Sequence, residues 1–531
     1  MLATPFSPGL QTTRTLAGLV VAATILAAPA ASVAVESQYS PGGWATLHKG
    51  PGNRKQVNNV SFADNYSSKV VVPGSSVLTA PVLSPDGQQF YFTTGQGDGY
   101  SNLHAFTIDG DALWSVPAVD DNVSGEAAGV DGCAILSSPI VDAEGDIYIS
   151  DCDQVWAFKP DGSIKWVVEQ PLPPENTWQP TDTLMVNAFT TAVFTSQGDV
   201  MGITNYGSVR VLDRDTGRLL NDPMILPGLQ PPMSAVPLPD SMLGEGVMNP
   251  ELRVWAWQLL MGGAMPSANT PSVDINTGRV FVAVTSNTPG NGALVGLDVV
   301  PLDDGRVDVQ VAWITDMGPG SGSSPSLSPE GSQVYVSDEL GMFYGIDTSS
   351  GEVLWTLQTA SAAASVAVGA DGVVYSLQQY APAVIAMSPT GERLWETDIS
   401  HLVEEKLGSH WLFGDPVGSG SGNPTITNEG LIVPIAYGYS WMVGERRLPL
   451  YVKSSIVLFD TETGKAIRDV TDIPDDSSGI TVVLDDGTIL SSLGAVVTSS
   501  VNPLRGLLNW LMPGDYDMLH MVGGLHIARP E

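Results

Sequence analysis

The stretch YGIDTSSGEVLW, at residues 344–355, decides the fold of this chain. It consists of an apolar strand, a polar turn with a glycine, and a second strand that carries a tryptophan. Six other segments repeat the phrase: HAFTIDGDALW (104–114), WAFKPDGSIKW (156–166), RVLDRDTGRLL (210–220), VGLDVVPLDDGRVDVQVAW (295–313), IAMSPTGERLW (385–395) and VLFDTETGKAI (457–467). Recurrence of one phrase along a chain predicts a solenoid or a propeller.

A second hairpin precedes the repeated phrase in each module. Its copies are LSPDGQQFYF (83–92), VDAEGDIYIS (141–150), TSQGDVMGI (195–203), DINTGRVFVAV (274–284), LSPEGSQVYVS (327–337), VGADGVVYSL (368–377), TNEGLIVPI (427–435) and LDDGTILSSL (484–493). Short Asp, Asn and Gly turns between apolar strands are typical of β-hairpins. Two hairpins give four antiparallel strands, named A to D. We therefore predict an all-β propeller with eight blades, or seven as the alternative.

The eighth module needs strands from elsewhere to complete its sheet. It begins near Ser477 with strands A and B, and an irregular stretch follows at 501–519. The segment Lys69–Val72, early in the chain, is suited to add the outer strand. Such pairing closes the ring and removes exposed sheet edges, which otherwise promote aggregation.

The phrase A-x-D-x-x-T-G-x-x-x-W resembles the repeat of PQQ-type β-propellers, found in quinoprotein alcohol dehydrogenases and the outer-membrane assembly lipoprotein. Its G-x-x-x-W end is matched by Gly110/Trp114, Gly162/Trp166, Gly351/Trp355 and Gly391/Trp395. The segment GWATLHKGPGNRK (43–55) is similar to the lead-in of these proteins. The resemblance implies that the four tryptophans pack between neighbouring blades. PQQ and calcium are implied by the resemblance alone.

The motifs of an enzyme are absent from the sequence. The quinoprotein dehydrogenases carry adjacent cysteines near the cofactor, whereas Cys133 and Cys152 are far apart in this chain. The calcium ligands and the catalytic aspartate of that family align with no position here. Zinc-binding H-E-x-x-H and the nucleophile elbow G-x-S-x-G are also missing. We therefore assign no catalytic, cofactor or metal residue, and we favour a protein without catalysis.

Composition and the first residues indicate an exported protein. The net charge of −35 disfavours nucleic acid as a partner, because phosphates would be repelled. Residues 1–34 resemble a signal peptide, with Arg14 before an apolar run and small residues near the cleavage site. No later stretch is apolar enough to span a membrane. We expect a periplasmic or secreted monomer that is soluble after cleavage, with a Cys133–Cys152 disulfide.

The insertions of the predicted propeller fall on one face. The A–B and C–D turns share one face, the turn face, and most of these turns are short. The B–C loops and D–A links share the opposite face, the loop face. We place insertions there at 221–268, 285–293, 400–422, 436–454 and 501–520, within one domain that covers residues 43–531. Elaborated loops on one end of a scaffold usually carry its function.

The candidate binding residues are aromatic, basic and polar side chains of these insertions. They are Arg253, Trp255, Trp257, His410, Trp411, Asp415, Tyr437, Tyr439, Trp441, Arg446 and Arg447. Such residues suit a protein or carbohydrate ligand, although they could also bury the long loops against the rim. Our interpretation is a non-catalytic binding or scaffold module. The alternatives are a quinoprotein oxidoreductase, a propeller hydrolase or lyase with an axial site, and a lectin-like carbohydrate binder.

Overall fold

The computed structural model describes sixteen stretches of the chain. They are residues 35–97, 99–118, 128–170, 186–227, 250–260, 267, 269–288, 290–320, 323–360, 365–378, 382–409, 414–419, 422–443, 446–474, 479–494 and 523–531. All of them belong to one compact unit, Val33–Glu531. The first 34 residues and the segment 501–520 lie outside the described residues.

The strands of the described residues form eight sheets, one per blade, which confirms the eight-bladed prediction. Two strands precede the first blade, β1 (Gln56–Val57) and β2 (Tyr66–Val71). Blade 1 contains β3 (Val82–Leu83), β4 (Gln89–Thr93), β5 (Leu103–Thr107) and β6 (Ala112–Ser115). Blade 2 contains β7 (Ile140–Val141), β8 (Ile147–Ser150), β9 (Gln154–Phe158) and β10 (Ile164–Glu169). Blade 3 contains β11 (Val193–Phe194), β12 (Val200–Ile203), β13 (Ser208–Leu212) and β14 (Met224–Ile225).

The remaining blades follow the same order along the chain. Blade 4 contains β15 (Ser272–Val273), β16 (Val280–Thr285), β17 (Gly292–Pro301) and β18 (Val307–Met317). Blade 5 contains β19 (Ser326–Leu327), β20 (Gln333–Ser337), β21 (Met342–Asp347) and β22 (Val353–Gln358). Blade 6 contains β23 (Ala367–Val368), β24 (Val374–Leu377), β25 (Ala383–Met387) and β26 (Arg393–Asp398). Blades 7 and 8 contain β27 (Val417–Ser419), β28 (Thr425–Thr427), β29 (Gly430–Val443), β30 (Arg446–Phe459), β31 (Ala466–Ile473), β32 (Thr481–Val483), β33 (Ile489–Leu493) and β34 (Gly524–Pro530).

Blade 8 closes the ring with a strand from the start of the chain, as predicted. Its strand order is β2-β34-β33-β32, with β2 outermost and antiparallel to β34. Lys69 pairs with Ile527 and Val71 pairs with Leu525. Strand β2 and the last strand, β34, thus meet in one sheet and complete the four strands of blade 8.

The tight C–D turns follow from local chemistry. In blade 5, the Asp347 carboxylate accepts hydrogen bonds from the backbone amides of Ser349 and Ser350 at 3.0 and 2.8 Å. Gly351 then adopts a φ of 76°, in the left-handed region that favours glycine. The pairing of β21 with β22 shifts in register between Gly345 and Ile346, as expected for a β-bulge beside such a turn.

Three insertions differ from the sequence prediction. In blade 3, strand D is β14 (Met224–Ile225), so the D–A link begins after it and not at 221. The 285–293 insertion is short, because Thr285 already pairs with Gly292. The insertion at 436–454 is not a loop: β29 and β30 simply continue as a paired hairpin of 14 residues per strand. The sequence 436–454 is rich in β-formers, which explains why it extends the sheet.

Among the described residues, two α-helices lie in the D–A links of the loop face. Helix α1 (Pro250–Leu260) lies between blades 3 and 4, and α2 (Ser400–Lys406) follows blade 6. Short 3-10 helices occur at Val35–Gln38 and Gly132–Leu136. No helix in the described stretches is long and apolar enough to cross a bilayer.

Candidate functional site

Tryptophans fix the angle between neighbouring blades, as the resemblance implies. The ring of Trp355, on strand D of blade 5, lies against Gly391 in the C–D turn of blade 6, where an added Cβ would come within 2.5 Å of the indole. Its indole nitrogen donates to the carbonyl oxygen of Pro389 at 2.9 Å. The same contacts join Trp114 to Gly162, Trp166 to Gly217, Trp313 to Gly351 and Trp395 to Gly464. These side chains pack at the junctions between blades.

The N-terminal segment, residues 35–60, crosses the turn face and bonds to the innermost strands of several blades. Its backbone carbonyl oxygens accept hydrogen bonds from backbone amides of the blades. The pairs, with the acceptor first, are Trp44 and Leu83, Ala45 and Val141, Pro51 and Val273, Gly52 and Leu327, Arg54 and Val368, and Lys55 and Ile426. Strand β1 also pairs in parallel with β28 of blade 7. The Asn53 side-chain amide donates to three carbonyl oxygens in blades 4 and 5. This segment therefore covers the axis of the ring on the turn face.

A cavity of about 850 Å³ lies on the turn face, beneath the N-terminal segment. Its walls include the A–B turns of blades 2, 4 and 5. Four basic residues line it: His48, Lys49, Arg54 and Lys55. The sequence analysis interpreted 43–55 only as a family lead-in and missed this feature. The signal was available, since HKGPGNRK concentrates basic residues in a chain that has few.

On the loop face, the predicted disulfide anchors helix α1. Cys133 and Cys152 are bonded, with a Cα–Cα distance of 4.8 Å. One cysteine lies in the link before blade 2 and the other lies between strands B and C of that blade, as predicted. Both pack with Leu252 and Trp255 of α1 in one apolar cluster. The bridge thus holds the long insertion after blade 3 against the rim of blade 2.

Four aromatic residues of the predicted binding face lie in the interior. Trp255 is 5% exposed, Trp257 1%, Tyr437 1% and Tyr439 3%. The Tyr439 hydroxyl donates to the carbonyl oxygen of Gly408 at 2.9 Å, which joins the blade 7 hairpin to the link after α2. At these four positions the loops bury their own aromatics, and a partner cannot reach them without local opening.

The other predicted residues divide into two groups. Asp415 is exposed and accepts a hydrogen bond from the Ser409 hydroxyl at 2.6 Å, while Arg253 is partly buried on α1. His410 and Trp411 lie outside the described residues, and for Trp441, Arg446 and Arg447 only the backbone is described. The proposal that these residues bind a partner is taken up below.

The hairpin of blade 7 projects past its own sheet. We call residues 437–453 the arm. Its register places Trp441 opposite Leu448 and Val443 opposite Arg446. Strand D of this blade reaches no further along β30 than Ser454, and β27 pairs with β29 only at Ala436–Gly438. Beyond Gly438 the described strands of the arm pair only with each other.

A buried acidic cluster lies next to the disulfide, and its central carboxylate, that of Asp151, accepts hydrogen bonds from the protein itself. Burial raises the pKa of Asp151 well above its ordinary value, and the neighbouring carboxylates of Asp131 and Asp153 raise it further. The Asp151 carboxylate accepts hydrogen bonds from the Trp156 indole at 2.7 Å and the Gln154 amide at 2.8 Å. Its oxygens are therefore occupied by protein donors.

The described residues do not fit PQQ with calcium as the dehydrogenases of the family hold them. Those dehydrogenases carry adjacent cysteines near the cofactor. Here Cys133 and Cys152 instead join the link before blade 2 to the turn between strands B and C of that blade, and both pack against α1. Among the described residues, the one group of three metal-type ligands that lie close together is Asp131 with these two bonded cysteines. Disulfide sulfurs are poor metal ligands, since the thiolate is the coordinating form. We derive no chemistry through either group.

Comparison with known proteins agrees with this geometry. The family described as "Outer membrane protein assembly factor BamB" matches residues 303–409, which hold blades 5 and 6. A search of curated protein sequences gives no significant match.

Several solved structures resemble the chain at low identity. A europium-containing methanol dehydrogenase is 14% identical with a TM-score of 0.55, covering 92% of this chain and 98% of its own. Quinohemoprotein alcohol dehydrogenase from Comamonas testosteroni is 12% identical with a TM-score of 0.51, covering 91% and 80%. BamB from Moraxella catarrhalis is 14% identical with a TM-score of 0.46, covering 88% and 99%. The repeated phrase, the eight blades with their tryptophan contacts, the family match over residues 303–409 and the two dehydrogenase structures identify the fold of the chain as a PQQ-like β-propeller.

Proposed function

We propose that this chain is an exported binding or scaffold protein that docks a protein partner on its loop face. The observation that carries the proposal is the arm of blade 7. Strands B of blades 1 to 6 have four to six residues, whereas β29 has 14 and β30 pairs with it almost to the tip. A blade gains nothing for ring closure from such an extension.

An isolated two-stranded ribbon is marginally stable in water, and its outer edges offer unpaired backbone groups. Past Tyr439 the strands of the arm pair only with each other within the described residues, as in such a ribbon. A partner that covers the arm or adds a strand to its edge would satisfy these groups. The arm sequence YSWMVGERRLPLY also contains Trp, Tyr and Arg, which are enriched among the residues that dominate binding energy, and Met, which is enriched at interfaces.

Two further observations support a protein partner and an exported location. The family that matches blades 5 and 6 is described as an assembly factor, a role carried out through protein contacts. Disulfides persist in oxidising compartments, and the Cys133–Cys152 bridge is consistent with the signal-like segment at 1–34. Periplasmic or secreted location and a monomeric state belong to this proposal.

Site-specific photo-crosslinking tests the docking face. A photoreactive amino acid at Trp441 or Leu448 of the arm should give one reproducible protein adduct in the native host. The matched control is Thr390, in a C–D turn of the turn face. An adduct from Thr390 in place of Trp441 and Leu448 would contradict the loop-face assignment.

The quinoprotein alternative is tested by titrating the purified protein with PQQ and calcium while recording the ultraviolet-visible spectrum. Our proposal expects the spectrum of free quinone throughout. A saturable spectral change with one equivalent of quinone would instead favour the oxidoreductase.

A further inference from the structure

The basic residues of the N-terminal segment are held rigidly. Backbone hydrogen bonds tie Pro51, Gly52, Arg54 and Lys55 to the innermost strands of blades 4, 5, 6 and 7 in turn. Each step along the segment thus reaches the next blade around the axis. A cluster placed in this way keeps its geometry without a ligand, as a preorganised site requires.

The cluster is unusual among the described residues because none of its basic side chains forms an ion pair. The protein has 22 Lys and Arg residues against 57 Asp and Glu. Elsewhere most basic side chains are paired, for example Arg279 with Asp298 at 2.7 Å and Lys165 with Asp146 at 2.8 Å. Within the described stretches, Lys49, Arg54 and Lys55 form no ion pair and no side-chain hydrogen bond.

Two of the basic groups are buried with unsatisfied nitrogens. Lys55 and His48 are each 1% exposed, and neither the Lys55 Nζ nor either ring nitrogen of His48 has a hydrogen-bond partner in the described protein. Burial lowers the pKa of both groups, and the charge of Lys55 lowers that of His48 further. Buried polar groups without partners are rare and costly, so their presence at a cavity calls for a ligand.

The backbone at the same place adopts an uncommon conformation. Six non-glycine residues in the described chain have positive φ, and four of them fall in this segment: Lys49 (81°), Asn53 (55°), Lys55 (51°) and Asn59 (79°). Such backbone strain is maintained where the surrounding structure demands it, and it is frequent at ligand sites. The two cavity lysines are among these residues.

We propose that this turn-face cavity binds a small anion that carries two or more carboxylate or phosphate groups. A volume of about 850 Å³ lies in the range of small-molecule sites. Lys49 and Arg54 are partly exposed and would contact the anion, while His48 and Lys55 lie beneath and supply positive charge. A multivalent anion matches several cations better than a single chloride does.

The acidic groups near the cavity do not neutralise it. The Asp274 carboxylate is occupied by the Asn276 amide at 3.0 Å and by the Thr277 hydroxyl at 2.6 Å. Glu36 lines the cavity, and it and Asp485 are close enough to raise the pKa of Lys49, against the larger lowering by burial. Neither forms an ion pair with it in the described residues.

Binding should therefore take up protons. The free protein disfavours charge on Lys55 and His48, whereas an anion in the cavity favours the charged forms. Linkage then requires tighter binding at lower pH. Glu36 and Asp274 also line the cavity, and Asp485 lies near Lys49, so these carboxylates oppose the anion.

Isothermal titration calorimetry with citrate and with pyrophosphate tests the proposal, using full-length mature protein at constant ionic strength set with sodium chloride. We expect saturable binding of at least one of these probes. Repeating the titration in two buffers of different ionisation enthalpy should show net proton uptake. Affinity should rise at least threefold from pH 8 to pH 6.

Three variants separate a ligand site from a structural role. The double variant K49Q/R54Q should weaken binding at least tenfold. K55M should abolish proton uptake from Lys55 and weaken binding, while its thermal midpoint without ligand stays equal or rises, because a buried unpaired amine is lost. The control K465Q removes one positive charge, as K55M does, at an exposed turn of blade 7 and should leave binding unchanged.

The proposal is overturned by three results. One is that neither probe binds beyond the effect of matched sodium chloride. Another is binding that K49Q/R54Q and K465Q weaken equally, which would show a general charge effect. The third is a K55M protein with a lower midpoint and unchanged anion binding, which would make Lys55 a structural residue.

Discussion

The two faces of this propeller are built by different rules. On the turn face, short Asp/Ser/Gly turns repeat from blade to blade, tryptophans dock on the glycines of the next blade, and the N-terminal segment bonds across the axis. On the loop face, the segments differ from one blade to the next: α1 after blade 3, α2 after blade 6 and the arm in blade 7. The first face maintains the ring, and the second is free to vary.

Because the two faces are built differently, substitutions on them should affect different properties, stability on the turn face and binding on the loop face. A change on the turn face removes contacts that every junction depends on, so it should lower the free energy of unfolding. A change at the tip of a loop-face insertion should leave the ring stable and alter binding. The following predictions test this separation from the largest expected effect on stability to the smallest.

Replacing Trp355 by Ala should destabilise the protein most. The change removes the indole that covers Gly391 and the hydrogen bond to Pro389. Loss of a large aromatic from a packed interface costs about 3–5 kcal/mol. Chemical denaturation followed by tryptophan fluorescence measures this value. The matched control is Gly408→Ala, where no atom lies within 4 Å of the added methyl group. Equal effects from both variants would argue against the inter-blade role of the tryptophan.

Sequence alone determined the ring but only part of the site. The turn phrase encodes its own geometry through Asp347 and Gly351, and four of the five junction tryptophans follow the glycine of their turn by four residues, so the blades and most junctions were predictable. The burial of Trp255 and Tyr439 was not, because it depends on how α1 and the arm pack against distant blades. The basic residues at 48–55 are visible in the sequence, but their position over the axis depends on backbone hydrogen bonds to four distant blades.

Removing the disulfide with Cys133→Ser and Cys152→Ser should cost slightly less. For a sequence separation of 19, the loop-closure estimate is roughly 3 kcal/mol. Because α1 packs on both cysteines, hydrogen exchange should also accelerate at Leu252–Trp255 before the blades open. If exchange instead rises uniformly around the ring, the bridge stabilises the turn face and the loop face alike, and the separation of the faces fails.

His526 should make the closing blade sensitive to acid. Burial lowers its pKa to about 4, and its ring nitrogen lies 2.6 Å from the Ser68 hydroxyl on β2. In the unfolded chain this histidine takes up a proton near pH 6.5, whereas in the folded chain it does so only near pH 4. The free energy of unfolding therefore falls as the pH drops through this window.

His526→Gln should remove this sensitivity. At pH 5 the histidine penalty in the wild-type protein is roughly 2 kcal/mol relative to neutral pH. We therefore expect the variant to lose less stability than the wild type between pH 7 and pH 5, as measured by urea unfolding at both values. His401→Gln, on the exposed surface of α2, is the control. Parallel pH profiles for wild type and His526→Gln would contradict the role of His526 at the seam.

Shortening the arm tests the central claim most directly. Residues 440–449 are replaced by Asn-Gly, a two-residue hairpin turn that preserves Tyr439 opposite Leu450. The account predicts a change in stability below about 1 kcal/mol, because the removed pairs lie outside the ring. It also predicts that affinity for the partner trapped at Trp441 falls at least 100-fold. Wild-type affinity in the shortened protein would contradict the claim that the loop face, through this arm, binds the partner.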